Sequence, residues 1–146
     1  MGDTPPVVWP DNLRAALKRD LPPFDWDGQV GPLCAEIVPI VEPHYESICR
    51  VFWDHYVAHP ATAHLRAYYT PEKFDAQIAG SVDYMRAKFE RPLGREWKAM
   101  ACAHARDADQ AGVPLAPLLS SLAAAHQATA RVVGEEADHL RGRIGA

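Results

Sequence analysis

The chain has 146 residues, 48% of them hydrophobic and 23% charged, with a formal net charge of −4. That length fits one globular domain with a core of its own, and the ordinary charged fraction excludes wholesale disorder. The acidic balance, with a calculated pI of 5.9, argues against a nucleic-acid or anionic-membrane surface, either of which needs a basic stripe.

The N-terminal residues Met1–Pro10 read as neither a signal peptide nor a myristoylation signal, since Pro6 stands where the latter wants Ser or Thr. Cys34, Cys49 and Cys102 are an odd and sparse set. They read as buried free thiols in a reduced, cytoplasmic setting. The apolar stretch from Leu115 to Val133 is cut by Ser120, His126 and Gln127 and is too polar for a bilayer.

In chain order, Asp11 caps a short helix through Leu21, stopped by Pro22-Pro23. A turn-rich linker from Asp25 to Pro32 follows. Leu33, Ile37, Ile40 and Val41 predict a helix disturbed by Pro39 and Pro43. From His44 to Ala58 a cleaner pattern puts Ile48, Val51, Phe52, His55 and Tyr56 on one face, and Pro60 ends it. Thr70-Pro71 starts the next helix, whose buried stripe is Phe74, Ile78, Val82, Met85 and Phe89, with Gln77 and Ser81 on the same side. After Pro92 and Gly94 comes a helix with Trp97, Met100, Ala101 and His104 inward, ending near Gly112. Pro114 precedes a long helix carrying Leu115, Leu118, Leu119, Leu122 and Val133, with an interruption expected at Gly134. No strand alternation and no repeat appears, so the expectation is an all-α domain of six or seven helices.

Most catalytic signatures are missing: no phosphate-binding glycine loop, nucleophile elbow, zincin motif or Cys-x-x-Cys. Glu136 to His139 has di-iron spacing, but the required second copy does not exist. His55 and His59 are one helical turn apart without a third ligand, and read as a solvated or capping pair. Cys102 and His104 fall on different faces of a helix, which argues against a Cys/His dyad. His104 itself has two readings. It is a hydrogen-bonded core histidine, or a neutral imidazole offered to haem iron.

Three segments bear on that choice. They are Ile37-Val38-Pro39-Ile40-Val41 running on to Val51-Phe52-Trp53, the helix from Pro71 to Phe89, and the helix from Trp97 to Arg106. In order and spacing they resemble the A/B, distal E and proximal F segments of the globin-coupled sensor family of bacterial haem-based gas sensors. The resemblance covers Leu33 to Leu122. It implies a globin-like fold with an N-terminal pre-A helix and an incomplete H helix. Residues 1–26 would form the extension and 27–146 the sensor domain.

The resemblance further implies haem b held by His104 as proximal ligand, with Phe52, Trp53, Tyr56, Phe74, Gln77, Ile78, Ser81 and Met100 around the ring and Arg106 toward a propionate. It implies a diatomic gas ligand (O2, CO or NO) and a homodimer through the C-terminal helices. An output module, absent from this sequence, would receive the signal, and the domain itself would not be an enzyme. Three departures stand out: Trp53 replaces the family's distal tyrosine, Asp107–Ala111 delays the Gly112-Val113-Pro114 corner by a turn, and little chain follows Gly134. A bulky indole at position 53 favours the alternative, a haem-free globin-like domain for signalling or dimerisation.

Overall fold

The computed structural model describes Asp25 and residues 27–144, of which 137 and 139–144 are described by backbone alone. The helix expected over Asp11–Leu21 lies outside the described residues. Among the described residues, five α-helices carry the fold: α1 (Val30–Val41), α2 (Tyr45–Ala58), α3 (Pro71–Glu90), α4 (Glu96–Gln110) and α5 (Leu115–Ile144). Short 3-10 turns at Glu42–His44 and Pro60–Leu65 flank α2. Among the described residues there is no strand, and the fold is all-α.

Local chemistry explains where the helices begin and end. The Asp25 carboxylate, buried, accepts the N–H of Val30 at 2.9 Å and so opens α1 two residues earlier than the linker's last proline implied. Pro39 sits inside α1 rather than ending it. Its missing N–H leaves the Ala35 carbonyl on the exposed side of the helix, where water can serve it. Thr70 caps α3, its hydroxyl accepting from the Lys73 N–H, with Pro71 in the first turn.

At the far end of α2, Arg66 donates to the carbonyls of Val57 and Ala58 at 2.7 and 2.8 Å, a cation at the negative pole of the helix. Between α3 and α4 the Trp97 indole donates to the Pro92 carbonyl at 2.9 Å. The close of α4 requires glycine. Gly112 has φ of 68°, its N–H bonds the Asp109 carbonyl at 3.0 Å, and the Val113 N–H reaches back to Ala108 at 2.9 Å. These paired bonds form a Schellman motif, sealed by the apolar contact of Val113 with Ala108.

α2 is the central helix, packed on α5 and α3, while α4 lies against α3 and α1 closes on α3 and α5. Among the described residues, two clusters form the core. One gathers Cys49, Trp53, Tyr56, Ile78, Ala108 and Val113, and the other Val41, Tyr45 and Ile48. Val82 and Met85 of α3 touch both. The whole expected stripe of α3 packs inward: Phe74 and Ile78 on the first cluster, Phe89 on the second.

Four expectations are corrected. His55 is exposed and Trp53 is buried in its place, because the two stand about 200° apart round the helix. Cys102 is exposed, by the same offset from His104. α5 runs unbroken through Gly134 to Ile144. Its inner seam is Pro117, Ser121, Ala125 and Ala128, and of the expected stripe Leu118 and Val133 pack on the core while the other three leucines do not. Leu115, Leu119 and Leu122 remain 65%, 55% and 39% exposed. Among the described residues no helix is long and apolar enough to cross a membrane.

Candidate functional site

The site that the sequence points to lies where α2, α3 and α4 meet. Trp53 is its centre. Its indole is edge-on to Phe52 and Tyr56, with ring centroids at 5.4 and 5.1 Å, and tilted against Tyr69 at 5.6 Å. From α4 the His104 imidazole stacks on the indole, with centroids 5.9 Å apart and planes 16° from parallel. From α3 the Ser81 hydroxyl accepts the indole N–H at 2.7 Å. Trp53 therefore spans from His104 to α3 and is 3% exposed.

Electrostatically this is a neutral pocket. Burial pushes the His104 imidazole below its ordinary pKa of 6.5, against a weaker upward pull from Asp107, so the ring is uncharged at neutral pH. Burial, and then Tyr69, push the Tyr56 phenol upward. Phe52 and Tyr56 stand edge-on to His104 at 6.2 and 6.5 Å, completing an aromatic cage around it.

Several candidate residues thus come together. Phe52, Trp53, Tyr56 and His104 are in mutual ring contact, Ser81 joins them through the Trp53 indole, and Phe74 and Ile78 pack on the same cluster. Met100 is half-buried one turn before His104. Gln77 and Arg106 do not join them, for both are exposed. Gln77 is turned about 100° from its buried neighbour Ile78, and Arg106 about 200° from His104.

Two participants were not anticipated. Tyr69 approaches from the connection before α3, where no helical period could flag it. Ala108 is the buried residue of α4, at 5% exposure, while His104 one turn earlier is half-buried. The stripe Trp97, Met100-Ala101, His104 continues to Ala108 at the same period, so extending it by one turn would have found this residue.

Haem is the group that the resemblance implies, and the stacking of Trp53 on His104 tests it. Centroids of aromatic rings in direct contact lie about 4.5–7 Å apart. At 5.9 Å and 16° the imidazole and indole already touch, and no porphyrin plane fits between them. The space on the α3 side of His104 is filled by protein, and the indole is held there by its bond to Ser81. Haem does not fit this packing.

Other arrangements are closer to structural roles. His59 caps the turn after α2, its Nδ1 accepting the Ala61 N–H at 3.1 Å. Thr62 is buried and donates to the carbonyl of Tyr56, bracing the helix that carries Trp53. Among the described residues no three His, Cys, Asp or Glu side chains are arranged to hold a metal ion. No protein-family model, curated protein or solved structure matches the chain.

Proposed function

We propose that this chain is a haem-free globin-like domain that works by protein association in cytoplasmic signalling. The observation that carries the reading is the indole of Trp53, stacked on His104 and bonded to Ser81 where a cofactor would need space. A second feature supports association. α5 buries its small residues and leaves Leu115, Leu119 and Leu122 outside, an exposed apolar row on a helix of 30 residues. A homodimer through α5 covers that row, and the small seam beneath keeps α5 fixed to α2. An output module or partner then reads the dimer.

The competing reading is a haem-bound sensor of O2, CO or NO. Its support is His104, whose burial keeps the imidazole in the neutral form that iron binds. The filled pocket weighs against it.

The two readings separate on an absorption spectrum of protein purified with haem supplied during expression. A folded, helical protein without a Soret band is expected. A stoichiometric Soret band that moves with CO and vanishes in His104→Ala would replace the proposal with the sensor reading. The association arm is read by sedimentation. The chain is expected to dimerise, and Leu115→Asp with Leu119→Asp is expected to return it to monomer with its helix content unchanged.

A further inference from the structure

A groove of about 480 Å³ lies open between α2 and α3. Its floor is apolar, made by Ile78, Ala79 and Val82, and its rim is acidic, with Glu46 on α2 and Asp75 and Asp83 on α3. The two helices are antiparallel, since Arg50 meets Asp75 while Glu42, earlier in the chain, meets Arg86. From Glu42 to Asp54 the edge of α2 runs for about 18 Å, the length of about three helical turns.

We propose that this groove receives a basic amphipathic helix of a partner protein, its apolar stripe on Ile78, Ala79 and Val82 and its lysines or arginines on Glu46, Asp75 and Asp83.

Charge argues for that occupant. The facing edges carry seven carboxylates: Glu42, Glu46 and Asp54 along α2, and Glu72, Asp75, Asp83 and Glu90 within about 80° of one another round α3. Of the four lysines and arginines on these two helices, Arg50 and Arg86 stand among the acids, and each is already shared by two of them. Arg50 meets Glu46 at 3.0 Å and Asp75 at 3.5 Å, and Arg86 meets Glu42 at 2.9 Å and Glu90 at 3.2 Å. The other two, Lys73 and Lys88, stand about 140–160° from Asp75 round the helix, with their amines over the rings of Tyr68 and Tyr84. Asp54, Glu72 and Asp83 have no ion-pair partner among the described residues. This ledge is more negative than the whole chain, whose net charge is −4. Like charges on neighbouring turns repel one another, and a cationic partner turns that cost into attraction.

The floor decides what kind of cation fits. A small polycation leaves the apolar residues in water, whereas an amphipathic helix covers them. Ala79 is small and exposed beside half-buried Val82, so a third helix can approach closely. Arg50 is no obstacle, because exposed ion pairs are weak and an incoming cation can take Asp75 from it. This surface is separate from the leucine row of α5, and the inference does not depend on that row.

The probe is a synthetic helix of leucine, alanine and lysine about three turns long, with leucine on one face. It is titrated into the full chain and followed by amide NMR shifts. Shifts are expected to concentrate in residues 46–54 and 72–83, with an affinity that falls as salt rises. Asp75→Lys/Asp83→Lys is expected to weaken binding about tenfold or more, and Glu135→Lys/Glu136→Lys, an exposed acidic pair on α5, to leave it within about twofold. Arg50→Gln removes the competing cation and is expected to tighten binding. Circular dichroism verifies that each variant keeps its helices.

The proposal is overturned by an absence of shifts, by shifts centred elsewhere, or by equal weakening in the groove variant and the α5 variant. Equal affinity for a probe with serine in place of leucine would show that charge alone binds it. Spermine giving the same shifts as tightly would make a small polycation the occupant. Groove amides that move on dilution of the chain, and not with the probe, would make a second copy the occupant.

Discussion

The two core clusters share a helix and differ in kind. The one around Trp53 is aromatic and polar at its edges, with an indole, two phenols and an imidazole fitted so that the indole N–H finds Ser81 at 2.7 Å. The one around Val41, Tyr45 and Ile48 has a single ring pair, Tyr45 stacked on Phe89 with centroids 6.1 Å apart, and is otherwise filled mostly by small and aliphatic neighbours, among them Ala125, Ala128 and Val133 of α5. There the Tyr45 hydroxyl is buried without a hydrogen-bond partner among the described residues. Burial first, then Glu90 and Glu42, push that phenol up to about 12. The small residues let α1 lie close on α5. The large rings hold α4 off α2 and fill the interval. One region is closed by approach and the other by volume.

That difference sets the order of effects. Trp53→Ala should be the most damaging change, costing about 4 kcal/mol in urea unfolding, because α2, α3 and α4 cannot all collapse into the space of an indole. Ile48→Ala, in the aliphatic cluster, should cost about 3 kcal/mol. If the order reverses, the aromatic region is not the better packed of the two.

Gly112→Ala tests how the aromatic region is sealed. A Cβ there meets nothing within 4 Å, so the expected loss of about 1–2 kcal/mol comes from the left-handed backbone alone. A neutral result would mean that the turn closing Val113 onto Ala108 contributes little.

Acid should weaken the aromatic side through His104. Its folded pKa lies below the ordinary 6.5, so the unfolded chain takes up the proton first. Stability is therefore full above pH 6.5 and falls as the pH drops from 6.5 toward the lower folded value. His104→Phe keeps a ring against Trp53 and should flatten that part of the pH profile. His126, whose pKa burial and Lys88 also lower, leaves its own slope in both proteins. Equal slopes in the two proteins would show that His104 stays solvated.

The smallest effect expected is in the other cluster. Tyr45→Phe removes a buried hydroxyl that has no partner among the described residues and should be neutral or stabilising by up to about 1 kcal/mol. A clear loss would reveal a bond to that oxygen and make the two regions more alike.

Much of this architecture was legible. The cap at Thr70-Pro71, the stripe from Phe74 to Phe89 and the stop at Pro92-Gly94 are local signals, and the structure follows them. The exposed residues Gln77, His55 and Cys102 were less legible, because each sits only about 100–200° from a buried or half-buried neighbour and the apolar stripe of a helix is itself about 100° wide or more. α5 departs from its leucine pattern for a different reason. Leucines at helical spacing mark a face that can be buried, but whether it is depends on what stands opposite, and α2 and α1 take the alanine side instead.

Local chemistry written in the chain determined the all-α class, the helix starts and stops, and the gathering of Trp53, Ser81 and His104 on three successive helices. Tertiary structure alone decided how those three side chains share space. Interiors are packed to a density at which one large ring excludes another. Whether an indole lines a cavity or fills it depends on the distance between helices, and no single helix encodes that distance.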